Sequence, residues 1–193
     1  MVKNISIISF TIVLLTSFKI RDNIFIDKSE GQKAFVLLND IRANSTKYFS
    51  QFDFLRSTKI STRQLVWNDT LAKVAETKAL DMATRNYYGH IDPDGYGINY
   101  FINKSGYKLL PEWTDKKENN YFESIVAEVK DGESAIKTFI IDSLVPSLGH
   151  RNHLLGVGVW NSSLFDIGIG FARRDSGSNH KTYVSLIIAK HKW

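Results

Sequence analysis

Apolar positions recur with a helical period as far as Asp142 and then give way to strand-like runs near the C-terminus. Phe35, Leu38 and Ile41, followed by Tyr48 and Phe49, mark a first helix over about residues 29–50. Polar Arg56-Ser57-Thr58-Lys59 breaks it. Leu65-Val66-Trp67 leads into Asn68-Asp69-Thr70, a helix-capping segment, and Leu71, Val74, Ala75, Ala79, Met82 and Ala83 carry a second helix to about Asn86. Asp92-Pro93-Asp94-Gly95 is rich in turn formers and resembles a fragment of a calcium loop; without the later glutamate it reads as a simple turn. A short helix follows over about 99–105, an exposed loop over 108–121, and a third main helix over 132–142. Pro146 stops or restarts that helix, and residues 150–155 form a short helix or tight turn. Residues 165–172 and 183–189 read as two paired strands with a turn at Asp175-Ser176-Gly177-Ser178. Helices precede strands in blocks, which predicts an α+β fold with helices packed on an antiparallel sheet.

Composition sets the boundaries. With 193 residues, 43% hydrophobic and 12% aromatic, the chain suits one domain with a full core, here 29–193. Residues 1–20 read as a signal peptide or an uncleaved N-terminal anchor. Lys3 gives a positive start, the run from Ile5 to Phe18 is almost wholly apolar, and no small-x-small cleavage site stands near Thr16-Ser17-Phe18. The expectation is an exported protein that meets a membrane only through that segment. The absence of cysteine excludes disulfides, thiolate catalysis, cysteine-ligated zinc and a lipid-bearing cysteine. An exported chain without cysteine points to a bacterial periplasm, cell surface or exterior. The net charge of +5 comes from scattered lysines, with no basic stripe of the kind a nucleic acid needs.

Candidate chemistry gathers on His90, Glu123, Asp142 and His150, since imidazole and carboxylate bind divalent cations or exchange protons near neutral pH. If folding joins them, His90 and His150 could hold Zn²⁺ or another divalent cation, with Glu123 or Asp142 as base in a hydrolase. No His-Glu-x-x-His motif supports a known metalloprotease. The same groups could equally satisfy one another as a structural cluster. Ser124 or Ser147 beside His150 would suggest a nucleophile, but there is no Gly-x-Ser-x-Gly elbow, and Ser147 reads better as the cap of the segment carrying His150. His153 is expected to be partly exposed and Glu128 to be a solvated rim charge. Trp67 and Tyr107 should pack in the core, Trp113 should be exposed, and Tyr87, Tyr88 and Tyr96 could rim the cleft.

Several of these segments, in this order, resemble the bacterial branch of the CAP superfamily, which comprises cysteine-rich secretory, antigen 5 and pathogenesis-related-1 proteins. The carriers are Leu65-Val66-Trp67-Asn68-Asp69-Thr70-Leu71-Ala72, Asp81-Met82-Ala83 through His90, Glu123-Ser124-Ile125-Val126, Phe139-Ile140-Ile141-Asp142, Gly149-His150-Arg151 and Asp166-Ile167-Gly168-Ile169-Gly170. The likeness runs from about residue 30 to the C-terminus. It implies a three-layer α-β-α sandwich with a central, mainly antiparallel sheet and a cleft lined by His90, Glu123, Asp142 and His150. Ser124 stands where the family usually has Asn, Phe139 for Trp, Asp142 for Glu, and His153 for Asn. The resemblance further implies binding of a small hydrophobic molecule, or of an envelope or host-surface component, more readily than catalysis. A metal-dependent hydrolase and an interaction module with a structural tetrad are the other readings.

Overall fold

A strand buried on both faces organises the molecule: β4 (Asp166–Arg174), in which Ile167, Ile169 and Phe171 alternate with Gly168 and Gly170. The computed structural model describes residues 23–143, 145–175, 177 and 179–191. The segment expected to be a signal or anchor lies outside the described residues. β4 pairs antiparallel with β5 (Thr182–Ala189) on one side and with β1 (Ile24–Ile26) on the other. Beyond β5 lies β3 (Glu123–Ala127), again antiparallel, so β3 forms an outer edge. A two-residue strand, β2 (Val66–Trp67), runs parallel to the start of β4.

Helices cover both faces. α2 (Asp69–Arg85) packs on β4 and β5, while α1 (Lys28–Ala43) packs on the sheet and on α4 (Gly132–Ile141). The result is the expected α+β sandwich of three layers. Glycine lets α2 lie so close: a Cβ on Gly168 would stand 2.1 Å from the Ala72 nitrogen, and one on Gly170 2.3 Å from the Ala75 carbonyl carbon. Glu30, buried on α1, accepts the Gly132 N–H at 2.8 Å and so ties the first turn of α4 to α1. α3 (Ile98–Lys104), α5 (Gly149–Leu155) and α6 (Gly158–Ser162) are short and frame the loops.

Three expectations differ. The first helix ends at Ala43 rather than near residue 50, and a 3₁₀ turn, Ser45–Tyr48, follows. The Asn44 amide and the Tyr48 hydroxyl both donate to the Asp40 carboxylate, drawing the chain back over the helix end. The edge strands β1, β2 and β3 escape a periodicity reading. β1 and β2 are too short to show a pattern, and the first four residues of β3 are all buried, so no alternation appears. The 108–121 loop is also less exposed than expected. It holds a 3₁₀ turn, Pro111–Trp113, and Trp113 packs edge-on against Phe122 at 5.3 Å and Trp160 at 5.5 Å. Tyr107 is buried, whereas Trp67 is half-buried, edge-on to Phe35.

Candidate functional site

His90 is delivered by the end of α2. Asn68 caps the helix start, its side chain accepting the Leu71 N–H at 3.0 Å. Asn86 ends it in a left-handed conformation (φ 53°) that turns the chain toward the sheet. Lys78, buried on α2, reaches the His90 carbonyl oxygen and the Tyr87 hydroxyl, each at 3.1 Å. Burial pulls its ammonium below the usual lysine range. Beyond His90, Asp92 closes the turn by accepting the N–H groups of Asp94 and Tyr96.

Glu123 opens β3 and points inward, its side chain wholly buried. One carboxylate oxygen faces His90 Nδ1 at 3.0 Å and the other accepts the Ser185 hydroxyl of β5 at 2.7 Å. The second pair has its own logic. Asp142 ends α4 in a left-handed conformation (φ 49°), and one carboxylate oxygen faces His150 Nδ1 at 2.8 Å. The other accepts the Arg151 N–H at 3.2 Å, capping the first turn of α5 from outside that helix. Arg151 reciprocates by donating to the carbonyls of Ile140 and Ile141, which end α4. Asp142 therefore does the work expected of Ser147, which is exposed and caps nothing.

The two pairs share one chemistry. A carboxylate accepts only, so the neutral imidazole beside it carries its proton on Nδ1 and leaves a lone pair on Nε2. Among the described residues Nε2 of neither ring has a partner, and neither atom is buried. Glu123 and Asp142 stand behind, with side chains 0% and 2% exposed against 37% for His90 and 24% for His150. A ligand entering this space meets imidazoles first.

His153 changes most from the sequence reading. It is buried, not partly exposed, and it forms part of the cleft floor. Its Nε2–H donates to the Ile188 carbonyl at 3.3 Å, so Nδ1 accepts the Ser124 hydroxyl at 2.9 Å. Burial pushes this imidazole down to about 4. Ser124 and His153 thus join β3 to α5, the elements that carry Glu123 and His150. Ser124 has no such bond to His150, and the depressed basicity of His153 makes it a poor acceptor of the serine proton.

The cleft encloses about 250 Å³ and brings His90, Glu123, Ser124, His150 and His153 to one space, with Asp142 behind His150. Asn120, Tyr121 and Asn161 complete its polar wall. None of the three carries a sequence signal for the site; Asn120 and Tyr121 fall in a stretch without period, and only folding brings them to the space that the histidines line. Tyr87, Tyr88 and Tyr96 do not line the cleft. Tyr87 donates to Asp81, Tyr88 donates to the Ile125 carbonyl at 3.0 Å on the edge of β3, and Tyr96 packs on Tyr100. Glu128, left-handed at the exit of β3, pairs with His180 away from the cleft. A larger cavity of about 400 Å³ lies between α2 and α3, with Val74, Tyr87 and Phe101 among its walls.

A catalytic zinc held by three protein ligands does not suit this donor set. Such sites use three protein ligands and an open position, whereas the cleft offers two imidazole nitrogens and both carboxylates are already occupied. Among the described residues, no three His, Asp or Glu side chains gather closely enough to hold one ion.

Comparison with known proteins agrees with this architecture. An extracellular protein containing an SCP domain from Bacillus anthracis str. Ames superposes with a TM-score of 0.51 at 23% identity, covering 85% of this chain and 41% of that one. The chain thus spans less than half the length of that protein, and the likeness concerns the fold. Among curated proteins, none matches the chain. The profile described as the cysteine-rich secretory protein family matches residues 36–187, most of the chain and nearly all of the sandwich around the cleft. Although it has no cysteine, this chain belongs to the CAP family of cysteine-rich secretory proteins.

Proposed function

We propose that this is an exported bacterial CAP-domain protein whose cleft binds a ligand without chemical turnover. One observation carries the reading: both cleft imidazoles are held at Nδ1 by buried carboxylates and offer Nε2 to the open space. The arrangement fixes two acceptors rigidly. It holds no activated nucleophile, since the cleft serine lies against an imidazole of low basicity. The partner is a small molecule or an envelope or host-surface component. A small hydrophobic ligand would meet mainly polar side chains here, and the apolar walls between α2 and α3 suit it better.

The metal-dependent hydrolase remains the second reading because metal-bound histidines commonly donate their other N–H to a carboxylate, as both do here. One experiment separates the two. Zn²⁺ is titrated into the purified protein while the histidine side-chain nitrogens are followed by NMR, alongside turnover assays on casein and nitrophenyl esters. The binding reading expects His90 and His150 Nε2 to respond to Zn²⁺ as an accessible probe, with no turnover. Hydrolysis that vanishes in a folded His90→Ala/His150→Ala variant would overturn it.

A further inference from the structure

The cleft wall carries a specific chemical demand. The Asn120 side-chain oxygen is buried and has no hydrogen-bond partner among the described residues. An acceptor left in that state costs about 1–3 kcal/mol unless a ligand or water donates to it. It lines the same space as His90 and His150, whose Nε2 atoms are acceptors in the neutral form. Two imidazole acceptors therefore face one small cleft, and the Asn120 oxygen lies buried within its wall. Among the described residues no lysine or arginine lines it, so an anionic ligand meets no cationic side chain there, and each oxygen of both carboxylates already has a partner, so an ammonium finds no bare one. The demand is for an uncharged ligand rich in hydrogen-bond donors.

An aromatic ring completes the description. Tyr121 lines the cleft and is 46% exposed. Among the described residues it rests on Phe122 and Trp160 through edge-to-face contacts only, with centroids 6.4 and 6.5 Å away, and no parallel ring covers it. Trp160 is a buttress: Phe122 stacks on it and the Lys190 ammonium stands 4.5 Å from its centroid. A ring held in this way presents a negative π surface that suits weakly positive C–H groups.

We propose that the cleft is a saccharide site that seats one sugar ring of a neutral glycan, its hydroxyls donating to the two imidazoles and its C–H groups lying against Tyr121. The proposal rests on the ligand-binding reading of the cleft and names the ligand class. Hydroxyls suit the site because each can donate here and accept elsewhere. A peptide brings a carbonyl acceptor with every N–H, and the two imidazole nitrogens have no proton to donate to it.

The test titrates cellotetraose, chitotetraose and mannotetraose into the ¹⁵N-labelled protein, with tetra-alanine as the peptide control. At least one sugar should give saturable shifts at Asn120, Tyr121 and His150 at millimolar concentration. Tyr121→Ala should weaken that binding about tenfold or more, which corresponds to about 1.4 kcal/mol, while Tyr121→Phe keeps it. If no sugar binds but Zn²⁺ still moves the His90 and His150 nitrogens, the saccharide proposal falls and the ligand-binding reading stands. If neither sugar nor Zn²⁺ acts, both fall. Sugar binding that is indifferent to Tyr121→Ala, or tighter binding of tetra-alanine at the same residues, would also overturn the proposal.

Discussion

The Ser124 hydroxyl donates to His153 Nδ1 across 2.9 Å of buried space, and that bond spans the two halves of the site. Ser124 follows Glu123 on β3, and His153 lies one helical turn after His150 on α5. The bond therefore sets the separation between the Glu123–His90 pair and the Asp142–His150 pair. Both residues stand where the family resemblance expects Asn, so the two departures form one contact.

The first prediction concerns this contact. Ser124→Ala leaves a buried imidazole nitrogen without its donor and should destabilise the fold by about 1–3 kcal/mol, read from urea unfolding. Ser124→Asn/His153→Asn together should cost less than the sum of the single changes, because the two sites touch. Strict additivity would show that the bond contributes nothing.

A second prediction follows from the burial of His153, which lowers its imidazole from 6.5 to about 4. Between those pH values the unfolded chain binds a proton that the folded chain refuses, so stability rises with pH across the window. Above about 6.5 neither state is protonated at this group and the contribution is constant. As pH falls from there toward 4, stability should drop by at most about 1.4 kcal/mol per unit from this group. His153→Asn should remove that component. Unfolding midpoints that run parallel in the two proteins across the window would refute the assignment.

Asp142 offers a third test, because its carboxylate fixes the proton on His150 Nδ1 and caps α5 at the same time. Asp142→Asn keeps a residue that tolerates the left-handed backbone and can still cap α5. Its amide can turn an N–H toward His150, which moves the imidazole proton to Nε2. Side-chain ¹⁵N spectra should show that tautomer change, with stability largely kept. Asp142→Ala removes both hydrogen bonds and places a poorly suited residue at positive φ, so it should cost about 1–3 kcal/mol in thermal or urea unfolding.

The fourth prediction addresses the frame. Gly168→Ala drives a methyl to 2.1 Å from the Ala72 nitrogen, which belongs to backbone and cannot rotate away. The helix must lift from β4, at a cost of about 1–3 kcal/mol or more by urea unfolding. The same change at the exposed Gly106, where nothing lies within 4 Å, should cost less, with only its positive φ (96°) to oppose it.

Legibility in the sequence followed physical cause. α2 was readable because its apolar stripe is long and its cap, Asn68, is a residue type with a strong local preference. β4 and β5 were readable as continuous apolar runs. β3 was not, because a short strand buried on most sides has no period, and so the element beneath Glu123 was invisible. His90, Glu123, Asp142 and His150 could be named from their settings, yet their pairing as two carboxylate–imidazole units is a product of folding. His153 looked like a surface residue because a histidine three positions after another on a short helix carries no mark of burial. Asn120 and Tyr121 had no local signal, since their roles arise from contacts with residues remote in the chain.

β3 has one further consequence. The strand that carries Glu123 is the outer edge of the sheet, where a second chain could add a strand of its own. Tyr88 obstructs that addition by donating to the Ile125 carbonyl, and it lies two residues before His90, on the same loop. A change that loosens this loop would uncover an adhesive edge as it dismantles the cleft. The loop that places His90 is also the guard of the sheet edge.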